Sequence, residues 1–172
     1  MNQQYTRLII VLVVIIGIAS LVILYLSWPL MTGKTVILAT RPVDPFDILR
    51  GQYIIINYEI NNIPAFQEAK QGGSVYVVLR EDENKIWRYQ SASLSKPQES
   101  IFIKGTVKSV YSDNMGVEYG IEQFFFERSA DFPQRDLTVE AKISSLGQAR
   151  IVNILHNGGP INITYKKVSL TS

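Results

Sequence analysis

The chain contains no cysteine, and only one histidine among its 172 residues. The first absence excludes a disulfide framework, a thiolate nucleophile and a cysteine-based zinc site. The second leaves His156 without nitrogen or sulfur partners for a transition metal, and a turn position beside Asn157-Gly158-Gly159 accounts for it. An excess of charge of one sign is missing too. Lysine and arginine number 17 against 15 aspartate and glutamate residues, and no basic cluster of the kind that tracks nucleic acid occurs. Internal repeats and low-complexity tracts are also absent. The expectation is no nucleic-acid partner, no metal and no cofactor.

What the chain has in excess is one apolar run. Leu8–Leu30 comprises 23 uncharged residues, enough to cross a hydrocarbon core of about 30 Å. A cleaved signal peptide has a shorter apolar region followed by small residues at the cleavage site. Here the exit reads Ser27-Trp28-Pro29-Leu30 and offers no such site. A buried core helix is rarely apolar on every face over this length. The run therefore predicts an uncleaved transmembrane helix, with the lipid bilayer as its partner. Tyr25 and Trp28 fall where amphipathic rings favour the headgroup layer. Arg7 flanks the other end, so the positive-inside rule leaves residues 1–7 in the cytoplasm and the rest of the chain outside it. Lys34 and Arg41 lie on the far side and pull the other way.

After a linker at Met31–Lys34, residues 35–172 form one expected extracytoplasmic domain. Short segments rich in Val, Ile, Tyr and Phe alternate with turn residues, the mark of strands. They are Thr35–Thr40, Gln52–Ile60, Ser74–Arg80, Ile86–Ser91, Ile101–Tyr111, Val117–Phe126, Thr138–Ser144, Ala149–His156 and Ile161–Val168. Glu81–Asn84 and Asn157–Pro160 read as tight hairpins. Pro64–Lys70 and Ala130–Asp136 are the candidate helical turns. The fold class is mainly β, an antiparallel sandwich or partly open barrel, preceded by one transmembrane α-helix.

The densest local signal is residues 42–58. Asp44, Pro45, Asp47 and Gly51 suit the N-cap, first position, N-terminal charge and C′ stop of one helical turn. A strand follows, with Ile54, Ile56, Tyr58 and Ile60 on one face and Tyr53, Ile55, Asn57 and Glu59 on the other. Both faces are largely apolar, which predicts a central strand.

Gly51, Tyr53, Ile56 (in place of Leu) and Tyr58 match a motif, and with it the sequence resembles the GDYXXLXY family of bacterial membrane-anchored proteins. The Pro42–Pro45 lead-in and Arg50-Gly51 are similar to that family as well. So are Ile103-Lys104-Gly105, the stretch Tyr119-Gly120-Ile121-Glu122-Gln123-Phe124-Phe125-Phe126-Glu127, and the turn Gly147-Gln148-Ala149. The family's Asp is Gln52 here, which keeps a hydrogen bond but carries no charge. The resemblance implies an envelope protein of no settled activity, sometimes encoded beside multi-pass membrane proteins.

Catalytic sets are hard to find. Glu118 and Glu122, four residues apart on one strand face, would lie about 13 Å apart, too far for a glycosidase pair. A Ser/Lys hydrolase of signal-peptidase type would need Ser27 with Lys34 or Lys104 as a depressed-pKa base. The Ser-Met-x-x-Pro context of that family is missing. The glycine pairs Gly72-Gly73 and Gly158-Gly159 lack the Lys-Ser/Thr of a phosphate loop. Phe125 should face away from Phe124 and Phe126, which makes either core or an aromatic surface patch.

The functional expectation is a non-enzymatic interaction or assembly module for a neighbouring membrane protein, such as a multi-pass one, or for an envelope component. Its candidate partner- or ligand-binding residues are Arg50, Gly51, Gln52, Tyr53, Tyr58, Lys104, Tyr119 and Glu122. The alternatives are the Ser/Lys envelope hydrolase and a small-ligand-binding β-barrel with a cavity lined by Tyr53 and Glu122.

Overall fold

The computed structural model describes residues 3–41, 53–125, 130–131, 133, 136–161 and 164–165. The helical turn expected at 44–51, and with it Arg50, Gly51 and Gln52, lies outside the described residues.

A single long helix, α1 (Gln3–Thr32), opens the chain. It is long and apolar enough to cross a membrane, and no part of its apolar span is buried among the described residues. Gly33 alone separates it from the first strand, rather than the four-residue linker Met31–Lys34.

The strands follow as β1 (Lys34–Arg41), β2 (Tyr53–Ile55), β3 (Asn57–Tyr58), β4 (Asn62–Pro64), β5 (Ser74–Glu81), β6 (Trp87–Ser93) and β7 (Phe102–Val110). Then come β8 (Asn114–Glu118), β9 (Gln123–Phe125), β10 (Ala130–Asp131), β11 (Leu137–Ile143), β12 (Ala149–His156), β13 (Gly159–Pro160) and β14 (Thr164–Tyr165). Alternation explains the longer ones. In β5, Val75, Val77 and Leu79 face the core while Arg80 faces water. Burying each such side chain stabilises the fold by about 1.5–3 kcal/mol relative to leaving it exposed.

The main sheet runs β13-β12-β11-β1-β6-β5-β7-β8-β4, with β3 attached to β1. Its ladders are antiparallel except for one parallel bridge, Leu38 opposite Trp87, between β1 and β6. The fold is therefore mainly β with a mixed sheet. It does not close into a barrel. β3 pairs the far end of β1 and β4 pairs β8, but a 3-10 turn, Glu59–Asn61, separates them and interrupts the ring. Val36, Leu38, Ile103, Val107, Val139 and Ala141 fill the core inside this curve.

Several expectations are corrected. The strand at Gln52–Ile60 is broken into β2, β3 and the 3-10 turn, and it is not central, because among the described residues β2 pairs only β9. Its outer face is wet: Ile55 is 50% exposed. The strand at Val117–Phe126 is also broken, because Gly120 adopts φ +79° and turns the chain between β8 and β9. Glu118 and Glu122 are thus not on one strand face. Pro64–Lys70 holds turns rather than helix, and Ala130–Asp131 is a short strand paired with β14.

Candidate functional site

The two motif-bearing segments meet. β2 and β9 pair antiparallel, with Tyr53 opposite Phe125 and Ile55 opposite Gln123. The Ile56 amide then donates to the Glu122 carbonyl at 2.7 Å. Just beyond this ribbon, two four-residue turns face each other: Tyr58-Glu59-Ile60-Asn61 and Tyr119-Gly120-Ile121-Glu122.

Their geometry is reciprocal. The Tyr58 hydroxyl donates to the Ile121 carbonyl at 2.7 Å, two residues beyond Tyr119. The Tyr119 hydroxyl donates to the Ile60 carbonyl at 2.6 Å, two residues beyond Tyr58. In each turn the polar residue three places after the tyrosine accepts that tyrosine's own amide. Asn61 Oδ1 accepts from Tyr58 N at 2.5 Å, and Glu122 Oε1 from Tyr119 N at 2.5 Å. The Asn61 amide ties the turns together, donating to Glu122 Oε1 at 3.1 Å and to the Val117 carbonyl at 2.7 Å. Glu122 Oε2 accepts from Gly120 N at 2.8 Å. Because Asn61 accepts on one side and donates on the other, its amide orientation follows from the network itself.

Both phenols are deeply buried, at 1% exposure for Tyr58 and 7% for Tyr119. Burial pushes both hydroxyls far above the ordinary tyrosine range, and the Glu122 carboxylate nearby pushes the same way. Such a hydroxyl keeps its proton and acts as a hydrogen-bond donor, not as an acid or base at neutral pH. The ring of Tyr119 also lies across Gly105. A Cβ at Gly105 would stand 2.9 Å from that ring and 2.3 Å from Val117 Cγ1. Gly147 is held in the same manner: φ is +79°, and a Cβ there would come within 2.7 Å of the Phe102 ring.

Of the sequence-predicted site residues, Tyr58, Tyr119 and Glu122 converge in this brace. Tyr53 contributes its backbone to the ribbon. Lys104 is not part of it. It is exposed on β7, 5.9 Å from the Tyr76 ring centroid. Asn61 was missed. Its signal was the short pattern Tyr-x-Ile-polar, present twice, which is too brief to stand out as a repeat. Ser27 has no hydrogen bond with Lys34 or Lys104 among the described residues, and Lys34 instead sits 4.9 Å over the Trp87 ring. Glu118 pairs with Lys108. Among the described residues no group of three His, Asp or Glu side chains could hold a metal ion.

A family model described as GDYXXLXY protein matches residues 15–154. The chain belongs to the GDYXXLXY family. The match spans both turns of the brace as well as Gly105 and Gly147. No curated protein and no solved structure matches the chain. In this GDYXXLXY protein, then, the turn that carries Tyr58 and the turn that carries Tyr119 and Glu122 are engaged with one another. Ile56 and Tyr58 of the naming motif are both buried, and so are Tyr119 and Ile121 of the second motif.

Proposed function

We propose that the chain is a single-pass membrane protein whose β domain is a non-catalytic docking module outside the cytoplasm. Its partner is a neighbouring integral membrane protein. The observation that carries this reading is the outer face of the β2–β9 ribbon. Ile55 and Phe125 share that face by register, at 50% and 69% exposure. Exposed large apolar side chains on a braced ribbon suit a protein interface better than a solvated edge. The brace beneath engages the tyrosine and carboxylate groups that would otherwise be candidates for chemistry.

The anchor reading draws on α1, apolar on every side and unburied in the protein. Arg7 on one flank and the aromatic pair Tyr25 and Trp28 on the other favour a cytoplasmic amino terminus. With only Gly33 between helix and sheet, the domain works close to the lipid, where another membrane protein is within reach.

A photo-crosslinking residue at Ile55, in native membranes, tests the docking face. The expected result is an adduct with one integral membrane protein, which also co-purifies with the unsubstituted chain and no longer does so with the Ile55→Glu variant, whose thermal midpoint stays unchanged. Adducts with lipid alone, or none from a folded chain, would contradict it.

A further inference from the structure

The exit of α1 is not a free joint. Two hydrogen bonds tie it to the β11–β12 hairpin. Gln148 Nε2 donates to the Tyr25 hydroxyl at 2.7 Å. Lys142 Nζ donates to the Leu30 carbonyl at 2.7 Å, where a cation meets the negative end of the helix dipole.

These two contacts give the hairpin a direction. Tyr25 lies five residues before Leu30, about 7.5 Å along the helix axis. Along the hairpin, Lys142 pairs with Arg150, two residues from Gln148, which is about 7 Å of strand. The spacings agree, so the hairpin runs alongside the helix with its tip pointing back along α1. The tip is the turn Ser144-Ser145-Leu146-Gly147, closed by Gly147 N donating to the Ser144 carbonyl at 2.9 Å. Ser144 Oγ accepts from the Leu146 and Gln148 amides at 3.3 and 3.2 Å. Leu146, at the end of this well-bonded turn, is 50% exposed.

Depth supplies the occupant. A hydrocarbon core of about 30 Å takes roughly 20 helical residues, so a core entered at Leu8 ends near Trp28. Tyr25 then lies about 4.5 Å inside that end, next to the boundary between acyl chains and headgroups, and Leu146 lies at or beyond the level of Tyr25. Lys96 stands at the same rim. Its ammonium is 6.0 Å from the Phe102 ring centroid, and that ring abuts Gly147.

We propose that the β11–β12 hairpin tip is a membrane-inserting element: Leu146 enters the acyl–headgroup boundary of the same bilayer that α1 crosses, while Lys96 and Lys142 face anionic headgroups. Interfacial apolar groups of this kind bury about 5–10 Å into that boundary, and lysine stems reach back to the headgroups. The inference rests on the reading of α1 as a spanning helix.

The chain has no cysteine, so single labels can be placed without background. The full chain is reconstituted in vesicles of neutral and anionic phospholipid, with a spin label at Leu146→Cys, at the exposed neighbour Ser145→Cys, at Ile15→Cys within α1, or at His156→Cys at the far end of the β11–β12 ladder. Collision with dissolved oxygen against a water-soluble nickel chelate reads depth. The expected pattern is a several-fold drop in nickel collisions at 145 and 146 relative to 156, with oxygen access retained, and a deeper signature at 15. A label at 146 as nickel-accessible as that at 156, with 15 still deep, overturns the inference and leaves the spanning helix standing. Shielding of 145 and 146 from both reagents also overturns it, because protein rather than lipid then covers the tip. An aqueous signature at 15 overturns the spanning reading and this inference with it.

Discussion

The brace and the helix exit are built from similar materials, hydrogen bonds made by side chains, yet they do opposite work. In the brace the Tyr58 and Tyr119 hydroxyl bonds are buried, and each joins segments about sixty residues apart in the chain. At the exit the Gln148–Tyr25 and Lys142–Leu30 bonds are both exposed, where water competes and little net stability follows. The difference separates residues that hold the domain together from residues that set where it sits. Tyr58, Tyr119 and Glu122 of the family-like motifs fall in the first group.

Substitutions that ought to break this contrast begin in the brace. Glu122→Ala leaves the Tyr119 and Gly120 amides without their acceptor and the Asn61 amide with only the Val117 carbonyl, and a loss of about 2–4 kcal/mol by denaturant titration is expected. Glu122→Gln recovers part of it, since one acceptor oxygen remains. Gly105→Ala forces a methyl into Val117 and the Tyr119 ring, at an expected cost of about 1–3 kcal/mol.

Alkali sharpens the contrast by a different route. The folded-state pKa of Tyr58 and Tyr119 is raised, so their contribution is complete below the unfolded value of about 10 and falls as pH rises beyond it. Phenolate absorbance should therefore show these two of the nine tyrosines ionising only as the chain unfolds. The smallest effect belongs to the exit. Gln148→Ala should shift domain stability by less than about 0.5 kcal/mol.

Much of the frame was legible in the chain. The run from Leu8 gave α1, and Ala149–His156 is a strand with the bounds that alternation predicted. Asn157 and Gly158, both at positive φ, make the tight hairpin expected of them. The breaks were not legible, for a physical reason. Strand periodicity continues from Val117 to Phe126, and only the carboxylate of Glu122, folding back onto two amides, makes the Gly120 turn the better choice. Likewise Gly105 looks like an ordinary strand residue until the Tyr119 ring is laid over it. The pairing of Tyr58 with Tyr119 is wholly tertiary, and periodicity reads one segment at a time. Residues 42–52, the other half of the first motif, lie outside the described structure.

The central claim is that the motif tyrosines hold the domain together. It is tested most directly by equilibrium unfolding of the full chain in detergent, with Tyr119→Phe set against Tyr111→Phe. Tyr111 is 67% exposed and serves as the internal reference. The expected loss is about 1–2 kcal/mol for Tyr119→Phe, the cost of a buried carbonyl losing its donor, and the change for Tyr111→Phe stays within about 0.5 kcal/mol. Equal stability of the two variants would contradict that claim.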